Sequence, residues 1–444
     1  MGHPVQDPPR KSVEPSPRLV HPGLIVPFIL LTTCFAAWGI ATAMTDPLVK
    51  VFSKIFSMNA FQSSLVQFAF YGAYFCLALP AAFINRRFSY KAGVLTGLGI
   101  FCVGAFLFYP AAQTMAYLPF LAALFVLAAG LSILETSANP FMISMGPEAT
   151  ATRRLNLAQA FNPVGTNIGI LISTVFILTK LNPASPAERA AMPSQQLDAI
   201  QGAELSAVMT PYVIIAVVLV VLWIAFFKTK VPPARESVEG SQAFLPTMRR
   251  LMGNPHYRFG TIAQFFYVGA QTCTWTFTIQ YIEHALNSNE VVGGIYLQYS
   301  MIVFLVARFV FTYLMRFIAP SRLLFAASVL AIVLNVILVF SPNLVGAWAL
   351  VLVSFSMSLM FPTIYGIALH GLGADTKFGG AGLVMAILGG ALLPMVQGAM
   401  IDAVGAPLSY LLMILCFAVV AGYAWYEVRH GRADTAGDAI VVGH

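Results

Sequence analysis

Charge is what this chain has least of. Asp, Glu, Lys and Arg make up 9% of its 444 residues, where a soluble protein carries about a quarter. A water-soluble globular protein is thereby excluded. Cysteine is scarce too: the five residues Cys34, Cys76, Cys102, Cys273 and Cys416 are odd in number, far apart and set in apolar runs. Such spacing supplies neither a disulfide framework nor a paired metal site, and predicts small buried thiols. The chain also lacks a Walker A loop, an HExxH pair and a GxSxG elbow, and its loops are too short for a catalytic or nucleotide-binding domain. ATP-driven work and hydrolytic chemistry lose their usual signatures.

What the chain has in abundance is apolar length. It is 59% hydrophobic with a mean hydropathy of +0.80, and runs of the roughly 20 residues needed to cross a bilayer recur along it. Twelve are legible, at about 24–51, 61–85, 92–112, 116–145, 155–178 and 211–227 in the first half, and 259–282, 291–314, 323–340, 344–369, 378–400 and 408–428 in the second. The fold class expected is therefore all-α and integral to a membrane. With the amino terminus cytoplasmic, 19 of the 24 Lys and Arg fall on inner segments and only Lys50, Lys54, Lys180 and Arg189 on outer ones, leaving Arg308 inside a span. The positive-inside rule then puts both termini in the cytoplasm and explains the net charge of +7 without a nucleic acid.

Residues 1–22 form a proline-rich tail expected to be disordered, with no cleaved signal. A cytoplasmic linker at 229–256 separates a six-helix half at 23–228 from a second at 257–430, and 431–444 form a short tail. "NRRFSYK" after the second span is echoed by "MRFIAPSR" after the eighth. Parallel repeats of this kind place a site between the halves near the midplane.

Polar residues inside the spans point to that site, because each is costly in lipid. Glu135 lies well inside the fourth span with Asn139 and Pro140 one turn on, and must face protein, water or substrate. An acid so placed can exchange a proton. Asp46 precedes Pro47 in the first span, and two acids in one half suggest a relay. Asn156, Gln159 and Asn162 put three amides on one face of the fifth span, able to bind hydroxyls or to glue helices together. Gln264, Tyr267, Gln271, Trp275 and Thr278 line one face of the seventh. An indole beside amides and a phenol suits a sugar, whose C–H face packs on the ring while its hydroxyls meet the amides. Trp38 joins the candidate binding residues. The glycines of the eleventh span (Gly379, Gly380, Gly382, Gly389, Gly390) suggest a moving part, and Arg308 is expected to snorkel to the inner interface.

The stretches "FQSSLVQFAFYGAYF", "FSYKAGVLTGL", "ETSANPF", "RLNLAQAFN", "AQFFYVGAQT" and "FPTIYGIALHGLGADTKFG" resemble the fucose permease branch of the major facilitator superfamily across essentially all twelve spans. The resemblance implies two pseudo-symmetric halves that rock about a central site, proton-coupled sugar uptake across a bacterial inner membrane, and no cofactor beyond the proton gradient. It implies that Asp46 and Glu135 are the proton-handling or substrate-linked acids, with Gln159 and Asn162 in the cavity. A monomer whose partners are a monosaccharide, protons and lipid is expected. Glu135 and "GAQTCTW" are similar to L-fucose members, whereas "YGIALHGLG", and Thr42 and Ala43 where two asparagines would precede Asp46, point toward glucose/galactose members. A uniporter, an exporter, a sugar sensor and a membrane-embedded enzyme are the rival readings.

Overall fold

The computed structural model describes residues 18–431 apart from 56–59, 115, 173–174, 177–181, 183, 185–187, 190 and 231–243; within helices, the side chains of 44–55, 60–65, 67, 112, 205, 208, 210 and 290 also lie outside that description. The side chain of Asp46 is among these, so its candidate role is outside the described residues, although its backbone belongs to the first helix.

Every described element is helical. The first half holds α1 (Ile25–Ile55), α2 (Ala60–Arg87), α3 (Tyr90–Gln113), α4 (Tyr117–Ser144), α5 (Ala151–Gln159), α6 (Phe161–Ile172) and α7 (Ser194–Lys228). A short helix, α8 (Phe244–Gly253), lies in the connection. The second half holds α9 (Pro255–Thr276), α10 (Thr278–Leu286), α11 (Glu290–Leu314), α12 (Pro320–Phe340), α13 (Leu344–Met357), α14 (Met360–Ala368), α15 (Thr376–Met385), α16 (Gly389–Val404), α17 (Ala406–Ser409) and α18 (Leu411–His430).

Ten helical stretches among the described residues are long and apolar enough to cross a membrane, matching ten of the twelve expected spans. The fifth and seventh do not qualify, and they are the two with polar stripes. Both are helical but interrupted, as α5–α6 and α9–α10. Pro163 explains the first break, because a proline cannot bond the carbonyl four residues back, here that of Gln159. Just before it the last turn tightens, Ala160 N keeping its regular bond to Asn156 O (2.9 Å) and adding one to Leu157 O (3.2 Å). At the second break Thr274 and Thr278 bond back to Ala270 O (2.7 Å) and Thr274 O (2.6 Å), a habit that bends helices. Pro362 likewise accounts for the gap between α13 and α14, and a 3-10 turn at Ala386–Leu388 divides the glycine-rich eleventh span.

Within each half the helices pack backbone to backbone. A Cβ at Gly165 would overlap the carbonyl of Ala36, and one at Gly389 the carbonyl of Phe265. These contacts join α1 to α6 and α9 to α16, equivalent pairs in the two halves. Large apolar side chains such as Leu171, Val221, Val306 and Phe340 face outward, as a lipid-facing surface requires. Of the cysteines, Cys34, Cys102, Cys273 and Cys416 are buried free thiols, but Cys76 is exposed on α2, against the sequence expectation. Its neighbour Phe75 on the same helix is exposed as well.

One end of the bundle gathers the basic segments and most polar ties. Lys91 donates to the carbonyls of Phe227 (3.0 Å) and Thr229 (2.7 Å). Arg250 of α8 forks onto Asp375 (2.9 and 2.7 Å), which holds its guanidinium charge all the more firmly, and His256 meets Glu427 (2.9 Å). Wholly buried Arg154 has no carboxylate partner. It donates to the carbonyls of Met142 (2.6 Å), Leu19 (2.8 Å), Gly146 (3.2 Å), Pro147 (3.3 Å) and Ile143, and to Thr150 Oγ1 (3.1 Å). Five N–H groups thereby fix the corner between α4 and α5 and pin residue 19 against it.

The halves also meet at this end. Glu148 accepts from Gly371 N (3.1 Å) and lies 3.5 Å from His370 Nε2. Phe83 packs on Phe378 (5.3 Å between rings) and Gly366 on Thr152. Further in, Asn156 donates to Thr363 Oγ1 (3.2 Å), Phe161 packs on Phe309 (5.9 Å), and Gln298 donates to Asn167 (3.3 Å).

Candidate functional site

Pro140 sets the geometry of the first half's site. It leaves the carbonyl of Thr136 without a helical donor, and Asn85 of α2 takes that carbonyl at 3.3 Å. The opening falls beside Glu135, which is 1% exposed. Glu135 Oε1 accepts a long hydrogen bond from Asn139 Nδ2 (3.5 Å), and Asn139 Oδ1 accepts from Gln159 Nε2 (2.9 Å). Acid, amide and amide thus form one chain across α4 and α5. Oε2 of the acid has no protein partner, and no described cation pairs with it. Phe35, Trp38, Leu134 and Glu135 line a narrow crevice between α1 and α4.

Two tyrosines come within electrostatic reach of Glu135: Tyr74 from α2 and Tyr365 from α14 of the other half. The Tyr365 hydroxyl is buried beside Asn139 of the first half, and Gly380 of α15 leaves room for it. Unpartnered buried polar atoms are costly. Glu135 Oε2 is one such atom, placed where Tyr74 and Tyr365 approach from two other helices.

The structure divides the amide stripe of the fifth span. Gln159 joins Glu135 and Asn139. Asn162 donates to Phe35 O (3.3 Å) and ties α6 to α1. Asn156 spans the halves to Thr363, so of its two expected uses it serves as interhelical glue.

In the second half the residues expected on one face of the seventh span play unequal parts. Tyr267 is wholly buried and donates to Met357 O (3.0 Å). Gln264 is wholly buried with both amide atoms unpartnered. Gln271 and Trp275 are half-buried. Trp275 donates its indole N–H to Ser354 Oγ (3.1 Å) and sets its ring edge-on to Phe304 (5.0 Å). Thr278 donates back across the break to Thr274 O of α9 (2.6 Å).

Arg308 departs from expectation. It does not snorkel: it is 4% exposed, its guanidinium lies over the Phe304 ring (5.0 Å), and it interacts with Tyr267. The reason is its place on α11, on the inward face with Phe304 and Ala307. Tyr74 and Tyr365 were not among the sequence candidates. The one available signal for Tyr365 was its position just after the break made by Pro362.

These features define an all-helical, multi-pass membrane protein whose unpartnered polar groups converge where two halves meet. The chain belongs to the Major Facilitator Superfamily, whose family model matches residues 29–383. It is 41% identical to the L-fucose-proton symporter of Haemophilus influenzae over 416 residues, 90% of this chain and 96% of that protein. It is 36% identical to the glucose/galactose transporter of Brucella abortus over 88% of this chain and 92% of that one. Among solved structures, the Major Facilitator Superfamily transporter FucP in the outward conformation superposes with a TM-score of 0.85 at 37% identity, covering 91% of this chain and 99% of that one.

Proposed function

We propose that this protein imports a monosaccharide together with a proton across the bacterial inner membrane by alternating access, with L-fucose or a close relative as the sugar. The observation that carries the reading is the Glu135–Asn139–Gln159 chain, which faces Tyr365 of the opposite half across the seam. A carboxylic acid donates and a carboxylate only accepts, so a change of protonation changes what the chain offers a hydroxyl. Asp46 is the second acid of this reading, with Trp38, Asn162, Tyr267, Gln271 and Trp275 contributing to the cavity wall. The named relatives support sugar and proton as the pair transported.

With both termini cytoplasmic by the positive-inside rule, the basic end is the inner one. The contacts of Glu148 with His370 and Gly371 then close the cytoplasmic side. A proton reaches Glu135 or Asp46, the sugar settles between the halves, and the loaded protein rocks inward. No cofactor is needed and the sugar leaves chemically unchanged, the protein acting as a monomer.

Glucose or galactose is the second reading, favoured by "YGIALHGLG" and by the Brucella relative. Protein reconstituted into liposomes holding a pH-sensitive dye tests both. L-Fucose, galactose, glucose, mannose and N-acetylglucosamine are added in turn, and interior acidification with one sugar is the expected result. Sugar entry without acidification would replace symport by uniport; no entry at all would remove the sugar reading.

A further inference from the structure

Arg308 is a buried guanidinium with nothing to bind. It forms no hydrogen bond or ion pair with any described residue, and its Nε is wholly enclosed without an acceptor. Its described company is an aromatic face, Phe304, and the oxygen of Tyr267, whose hydrogen is already given to Met357 O. The attraction of a cation to a ring is smaller than the cost of enclosing an unpaired charge. A residue kept in this state needs an acceptor that the fold itself does not supply.

The chemistry of that acceptor follows from the group. A guanidinium has five donors and no acceptor, arranged as a planar fork that suits two neighbouring oxygens. Beside it stands an apolar surface: Trp275, half-buried, with its ring edge-on to the same Phe304 and its indole N–H held by Ser354. Adjacent oxygens carried on a ring with an apolar C–H face describe a pyranose or furanose.

We propose that Arg308 is the sugar-reading fork of the second half, donating paired hydrogen bonds to two adjacent hydroxyl oxygens of a neutral monosaccharide whose C–H face lies on Trp275. The assignment rests on the sugar-transport reading above and adds to it the residue that discriminates between sugars. Glu135, Asn139 and Gln159 hold the sugar from one half, and Arg308 reads the hydroxyl pattern from the other.

The test is a cycle between side chain and sugar. Binding of L-fucose, D-galactose, D-glucose and their monodeoxy derivatives is measured on the purified full-length protein, for the wild type, Arg308→Gln and Arg308→Lys. A hydrogen bond from a charged group is worth about 10- to 100-fold in affinity. The expected result is a loss of that size at two adjacent deoxy positions in the wild type. In Arg308→Gln the parent sugar weakens by a similar factor, those two penalties vanish, and penalties elsewhere persist. Identical deoxy profiles in wild type and a folded Arg308→Gln would overturn the proposal. Should that variant not fold, Arg308→Lys decides: a point donor must flatten at least one of the two penalties, and an unchanged profile overturns the assignment. A wild type that binds none of these sugars would instead overturn the sugar-transport reading on which the assignment rests.

Discussion

Gln159 donates to Asn139 at 2.9 Å, and Asn139 is the residue whose other amide atom reaches Glu135. The acid is therefore oriented by a side chain on a different helix, with one amide relaying between them. In the proposed cycle, binding on α5 and proton exchange on α4 share a single hydrogen-bonded unit.

Replacing Glu135 with Gln should abolish sugar-driven acidification of liposomes while leaving sugar exchange between two equilibrated pools. The amide keeps hydrogen-bonding capacity but cannot bind or release the proton. Acidification at the wild-type rate in the variant would rule Glu135 out as the coupling acid.

Removing either amide of the chain should raise the KM for uptake by about 10-fold, the value of one or two hydrogen bonds. Because Asn139→Ala and Gln159→Ala break the same chain, the double variant should be little worse than either single one. Fully multiplicative effects on KM would show that the two residues act separately.

Gly165→Val should lower the melting temperature in detergent sharply or prevent accumulation in the membrane. The new side chain would have to displace the carbonyl of Ala36, and overpacking of this kind costs about 1–3 kcal/mol or more. Gly422→Ala, where nothing lies within 4 Å, should behave as wild type in the same assay.

The seal at the basic end can be caught chemically. In a protein whose five native cysteines have been replaced, Glu148→Cys combined with His370→Cys should be joined by a short bifunctional thiol reagent, and joining should stop uptake. Undiminished uptake by the crosslinked protein would mean that these two loops need not separate during the cycle.

The sequence made the apolar crossings legible because burial in lipid demands a long uniform run, and ten of them stand out in the structure by the same measure. The two that do not are α5–α6 and α9–α10, where polar stripes lower the apolarity; spacing of three and four was the surviving signal. Periodicity names a face but not what lies opposite it. Hence Gln159 and Asn162, three residues apart, end on different partners, and Tyr267 turns into the core while Trp275 stays half-buried. Arg308 was read as reaching for the interface because its depth was visible and its rotation about α11 was not. Tyr74 gave no signal and Tyr365 only its place after Pro362, since both become neighbours of Glu135 only when α2, α4 and α14 are assembled.

Arg154 welds the corner between α4 and α5 through the carbonyls of Met142, Ile143, Gly146 and Pro147. A welded corner turns two helices into one rigid crank, so Glu135 on one arm and Gln159 on the other keep their separation however the halves swing. The gearing between proton and sugar then cannot come from sliding these residues past each other. In the proposed cycle it comes from the proton that Glu135 gains and loses, an electrical switch carried on a mechanical part.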